Sequence, residues 1–74
     1  MWVDIKESLY NLDHYYKIIK AIDECESYKH YCIYLYFKKP KHGIDFTIVS
    51  FEDEKKRNKA FDNLHNKIIE AIIR

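Results

Sequence analysis

The hydrophobic period of this chain changes at Asp53, and that change limits the fold more than any other feature. From Tyr31 to Phe51 apolar residues alternate in twos; after Asp53 they recur at threes and fours. In YCIYLYF, Tyr31, Ile33, Leu35 and Phe37 share one face of an extended strand, and Cys32, Tyr34 and Tyr36 share the other. KKPKHG follows, with Pro40 and Gly43 as turn residues and cations at the tip. IDFTIVSF then sets Ile44, Phe46 and Ile48 on one side and Thr47 and Val49 on the other. A hairpin is predicted, with Ile33, Leu35, Phe37, Phe46 and Ile48 as the floor for a covering element.

The cover comes next in the chain. Asp53 is an N-cap, and the 21 residues after it contain neither Gly nor Pro. Phe61, Leu64, Ile68 and Ile72 form one helical stripe, flanked by Ala60 and Ala71, which allow close approach. Phe51, just ahead of the cap, suits the residue that fixes how the chain leads into a helix. A helix over Asp53–Arg74 is predicted, with Ile69 and Ile73 pointing off the main stripe. The run Glu52-Asp53-Glu54-Lys55-Lys56-Arg57 is expected to be its solvated start, the acids favoured there by the macrodipole.

The first thirty residues admit two readings. Ile5, Leu9, Leu12, Tyr16 and Ile19 recur at helical spacing, and Asp4 with Glu7 has the offset of a capping box. That predicts an amphipathic helix over residues 5–24 and an α-β-β-α order. Against it, Tyr15, Tyr16, Ile18, Ile19 and Ile22 are aromatic or β-branched, and Asn11-Leu12-Asp13 suits a turn between strands.

The segments YNLDHYYKI, YCIYLYF and SFEDEKKRNKAFDNL, in this order, resemble a group of short uncharacterised proteins of Gram-positive bacteria and their phages. The resemblance covers residues 9–64 and its motifs are structural. It implies an antiparallel meander of three or four strands with the helix across one face, similar to the end of a pleckstrin-homology-like domain. It carries no known activity, and it tips the N-terminal segment towards strands. The expected fold class is therefore α+β, in one domain spanning residues 1–74.

Composition narrows the function classes. A chain of 74 residues has a thin stability margin, which its 47% hydrophobic content is expected to meet. The formal net charge of +1 lacks the electrostatic footprint of a strong nucleic-acid binder. No apolar run is long enough to span a bilayer and MWVDIKESLY has no signal-peptide core, so a cytoplasmic location is expected. Cys25 and Cys32 fit a reducing compartment. These two with His30 and His42 are soft-ligand types, but their spacing lacks the tight pairs of structural zinc sites, so no metal or other cofactor is expected. A single glycine excludes phosphate-cradling glycine loops, and Ser8, Ser27 and Ser50 lie in no nucleophile-elbow context. No catalytic constellation emerges.

What remains is surface. One helix covers one face of a small sheet, which leaves Tyr34, Tyr36, Thr47 and Val49 on the back, with Lys38, Lys39, Lys41 and His42 near the turn. Tyr34, Tyr36, Val49, Lys38, Lys39, Lys41, Ile69 and Ile73 are the candidate interaction residues. The favoured expectation is a non-catalytic interaction module forming a homodimer. The alternatives are a binder of single-stranded nucleic acid, with bases stacked on Tyr34 and Tyr36 beside the lysines, and a phage or mobile-element accessory protein acting on a host protein. Residues 1–12 compete with a second copy for the open surface, since Trp2, Val3 and Ile5 are apolar enough to cover it.

Overall fold

The β-branched and aromatic residues after Asn11 win over helical periodicity. In a computed structural model, which describes residues 1–73, they form a strand and not the alternative N-terminal helix. The elements run β1 (Trp2–Ile5), β2 (Ser8–Asn11), a single 3-10 turn (Leu12–His14), β3 (Tyr15–Cys25), β4 (Tyr28–Lys41), β5 (Ile44–Phe51) and α1 (Glu54–Ile73). Strands β3-β4-β5 make an antiparallel meander, and β1-β2 a separate two-stranded hairpin. The protein is thus α+β, as expected. Arg74, the last residue of the predicted helix, lies outside the described residues.

Turn chemistry explains the connections. The Asn11 side chain accepts a hydrogen bond from the Asp13 amide at 3.1 Å, which makes the Asn11-Leu12-Asp13 segment a turn. The β1-β2 and β4-β5 hairpins each close through two residues of positive φ: Lys6 (52°) and Glu7 (68°), then His42 (54°) and Gly43 (76°). Tight hairpins whose turns match the strand twist require such angles. Pro40 lies within β4, not at the tip, where the β4-β5 ladder is interrupted between Tyr36 and Lys41 and no amide is needed. Asp53 caps α1, accepting from the Lys55 amide at 2.9 Å.

Val3, Ile5, Ile33, Leu35, Val49, Phe51 and Leu64 form one buried cluster, with Tyr10, Tyr15, Ile18, Phe61 and Ile68 packed against it. The N-terminal hairpin and the helix therefore cover the same face of the meander. Lys6 joins the hairpin to β5 by a hydrogen bond from Nζ to the Ser50 carbonyl, and its ammonium lies over the Phe51 ring.

The structure corrects three packing expectations. Val49 and Thr47 face the helix, because the register pairs Ile33 with Val49 and Leu35 with Thr47. Val49, expected on the back, is buried in the core, and Phe46 and Ile48 take its place outside, paired with Tyr36 and Tyr34. A shift of one residue exchanges the two faces of a strand, and the interrupted ladder after Tyr36 breaks the alternation that would carry the phase into β5. Arg57 is not part of a solvated helix start: it is 6% exposed, one turn before Phe61 on the inward stripe. Ile72, expected on that stripe, is 73% exposed, so the helix overhangs its floor after Ile68.

Arg57 ties the helix to the sheet. One guanidinium nitrogen donates to the carbonyls of Ala21 (2.9 Å) and Cys32 (3.1 Å), and Nε donates to Asn58 Oδ1 (2.8 Å). The guanidinium also lies 5.6 Å from the Tyr31 ring centroid, so a buried charge is well partnered.

Candidate functional site

With both covering elements on one side, the other face of the meander is left open. Its composition follows from the register. Lys17, Tyr36 and Phe46 form one row across the strands, Ile19, Tyr34 and Ile48 the next, and Ala21, Cys32 and Ser50 a third. Asp23 pairs with His30 beyond them. The bulge between Tyr15 and Lys17 inserts one residue into β3. Tyr15 can then stack on Phe37 at 5.0 Å towards the core while Tyr16 turns out to meet Tyr36 at 6.3 Å.

The aromatic rings of this face pack on one another. Tyr34 and Phe46 are stacked nearly parallel, 6° apart with centroids 5.0 Å apart. Tyr36 meets Phe46 at 5.3 Å and Tyr34 at 6.3 Å. The Lys17 ammonium lies 4.4 Å from the Tyr36 centroid and 5.9 Å from that of Tyr16. Among the apolar and aromatic residues of this face, Tyr16 and Ile48 are exposed, at 64% and 46%. Burial among its neighbours is the main cause raising the Tyr34 phenol above its ordinary pKa, with negative charge at Cys32 and Asp23 adding to it. The Tyr28 phenol, at the start of β4, is raised first by the Asp23 carboxylate.

The candidate residues separate into four places. Tyr34 and Tyr36 lie together on the open face. Val49 is in the core. Lys38, Lys39 and Lys41 line a concavity of about 330 Å³ with Asp13, His14 and Phe37, at the end of the sheet beside the 3-10 turn. Ile69 and Ile73 are exposed on the helix, in the layer behind the opposite face. Sequence reasoning missed Tyr16, Lys17, Ile19, Phe46 and Ile48 as partners of the two tyrosines. Alternation along β3 would have supplied Lys17 and Ile19 once that segment was read as a strand.

The soft-ligand residues are dispersed. Cys25 flanks the β3-β4 turn and His42 follows Lys41, so the length of β4 separates them. Among the described residues, no group of three His, Cys, Asp or Glu side chains could hold a metal ion. Both cysteines are free thiols, Cys25 exposed and Cys32 buried. A hydrogen bond with the Ser27 hydroxyl (3.4 Å) is the main cause lowering the Cys25 pKa. Among the described residues, no helix is long and apolar enough to cross a membrane. No protein-family model, curated protein or solved structure matches the chain.

Proposed function

We propose that this protein is a non-catalytic interaction module that self-associates through the open face of its three-stranded sheet. The observation that carries the proposal is the contiguous layer Tyr16, Ile19, Tyr34, Tyr36, Phe46 and Ile48, left uncovered because α1 and the β1-β2 hairpin both pack on the other side. Monomeric proteins seldom leave such patches open.

Two features favour protein over nucleic acid as the occupant. Base stacking needs free ring faces, whereas Tyr34 and Phe46 cover each other and Lys17 caps Tyr36. Lys38, Lys39 and Lys41 line a concavity they share with the Asp13 carboxylate, a setting that disfavours phosphate. Area favours a second copy. Strands of 11, 14 and 8 residues give a flat footprint of about 500 Å² at the usual rise and spacing. Two copies then bury about 1,000 Å², the lower bound for a specific interface, and the dimer is expected at micromolar concentration.

Sedimentation equilibrium tests this directly. The wild type should approach twice its 9.1 kDa chain mass in the tens of micromolar, and Ile48→Lys with Tyr16→Lys should give a folded monomer. Ile69→Lys with Ile73→Lys, on the far layer, should leave the dimer intact. A wild type that stays at its chain mass up to high micromolar concentration refutes the proposal. Submicromolar binding of a labelled single strand, steeply salt-dependent and lost in Tyr36→Ala, would put nucleic acid in the partner's place.

A further inference from the structure

The open face is electrically polar along its strands. From Lys17 to Cys25 the β3-β4 register runs without interruption, so Lys17, Ile19, Ala21 and Asp23 share one side of the sheet. Lys17 stands at one end of that side and Asp23 at the other, about 20 Å apart at the usual strand rise. The Lys17 end also holds the Lys38–His42 segment, and the Asp23 end the Glu26-Ser27 turn. Neither Lys17 nor Asp23 forms an ion pair among the described residues, where the only pairs join the Met1 amine to Asp13 and Lys29 to Glu24. Each end of the face thus presents a charge left unmatched within one chain.

Resting on the self-association proposed above, we infer that the second copy lies face to face with its strands antiparallel to the first, so that Lys17 of each chain meets Asp23 of the partner subunit. Two simple two-fold arrangements bring a sheet face onto itself. An axis parallel to the strands stacks like end on like end, setting the two Lys17 ends together and the two Asp23 ends together. An axis across the strands keeps β3 over β3 but reverses it, and superposes each cationic end on an acidic one. Both arrangements bury the same aromatic rows, so charge decides between them, and like charges facing across an interface cost several kcal/mol.

The test is complementation between variants at two exposed positions. Lys17→Glu and Asp23→Lys should each weaken self-association at least ten-fold, because each homodimer then opposes like charges twice. An equimolar mixture of the two should dimerise as the wild type does, since both contacts in the mixed pair join opposite charges. Native mass spectrometry separates the mixed pair by mass, and the double variant K17E/D23K should also dimerise alone. Circular dichroism establishes that each variant folds. Single variants without effect, or weakened singles whose mixture fails to recover, overturn this arrangement. The open-face dimer itself would still be judged by Ile48→Lys with Tyr16→Lys. A monomeric wild type removes both.

Discussion

Replacing Arg57 by Ala should cost this protein about 3 kcal/mol, whereas Lys56→Ala, one residue away, should cost next to nothing. The difference comes from the structure. Arg57 is nearly fully buried, and its guanidinium donates to the Ala21 and Cys32 carbonyls on two strands. A hydrogen bond from a charged donor contributes about 1.5–3 kcal/mol, so two contribute up to about 6. Part of that returns in the variant. Ala21 belongs to β3, an edge strand, and water can reach its carbonyl once the side chain is gone. The buried charge also carries a desolvation cost that alanine removes. About 3 kcal/mol remains, a large fraction of the stability of a domain this small.

Urea denaturation followed by far-ultraviolet circular dichroism measures it. With a slope near 1 kcal/mol per molar, expected for a short chain, the midpoint should fall by about 3 M. Arg57→Lys should recover only part of the loss, because an ammonium reproduces neither the several donors of the guanidinium nor its place over the Tyr31 ring. Equal midpoints for Arg57→Ala and Lys56→Ala would refute the inward placement of Arg57 and the helix phase that goes with it.

Other expectations are simpler to check. Leu35→Ala, at a fully buried position, should destabilise by about 2–5 kcal/mol in the same urea assay. Glu7→Gly should stabilise by about 1 kcal/mol in thermal melts, since Glu7 holds a φ of 68° that glycine adopts without strain. In the native protein a thiol reagent should modify Cys25 rapidly, and Cys32 only at the rate of opening or after denaturation. The Tyr28 and Tyr34 phenols, both raised, should titrate later than free tyrosine when their ring carbons are followed by NMR. The unfolded chain then gives up those protons first, so the stability these phenols contribute is full below about pH 10 and is lost as pH rises beyond it.

Much of the fold was legible because local signals agreed. Asp53, the glycine-free run after it and the spacing of Phe61, Leu64 and Ile68 all pointed to the helix that is present. Gly43 and the alternation from Tyr31 to Phe37 marked the central hairpin, although Pro40, read with Gly43 as a turn residue, lies within β4. The N-terminal hairpin was harder to see, because its turn uses Lys6 and Glu7 at positive φ where Asn or Gly would be expected. Arg57 was hidden by its neighbours: among Lys55 and Lys56 it looked like solvated charge, although it lies four residues before Phe61 on the same stripe. Of the open face, only the β4 residues Cys32, Tyr34 and Tyr36 were identified.

The error at Val49 has the same physical origin as the proposed function. A sheet with one apolar and one polar face specifies its own phase, because a shift of one residue would bury the polar set. β5 offers no such penalty: Phe46 and Ile48 on one side and Val49 and Phe51 on the other can each fill a core. What decides between them is Phe51. It must turn inward where the chain passes into α1, and Val49, two residues earlier, turns inward with it. Phe46 and Ile48 are then committed to the face that neither the helix nor the N-terminal hairpin covers. A chain serving only as a monomer gains nothing from apolar residues there. Polar ones would remove the ambiguity in register and the exposed patch together. Apolar side chains on both faces of β5 are what the proposed self-association requires, since the outer set then has a surface to pack against.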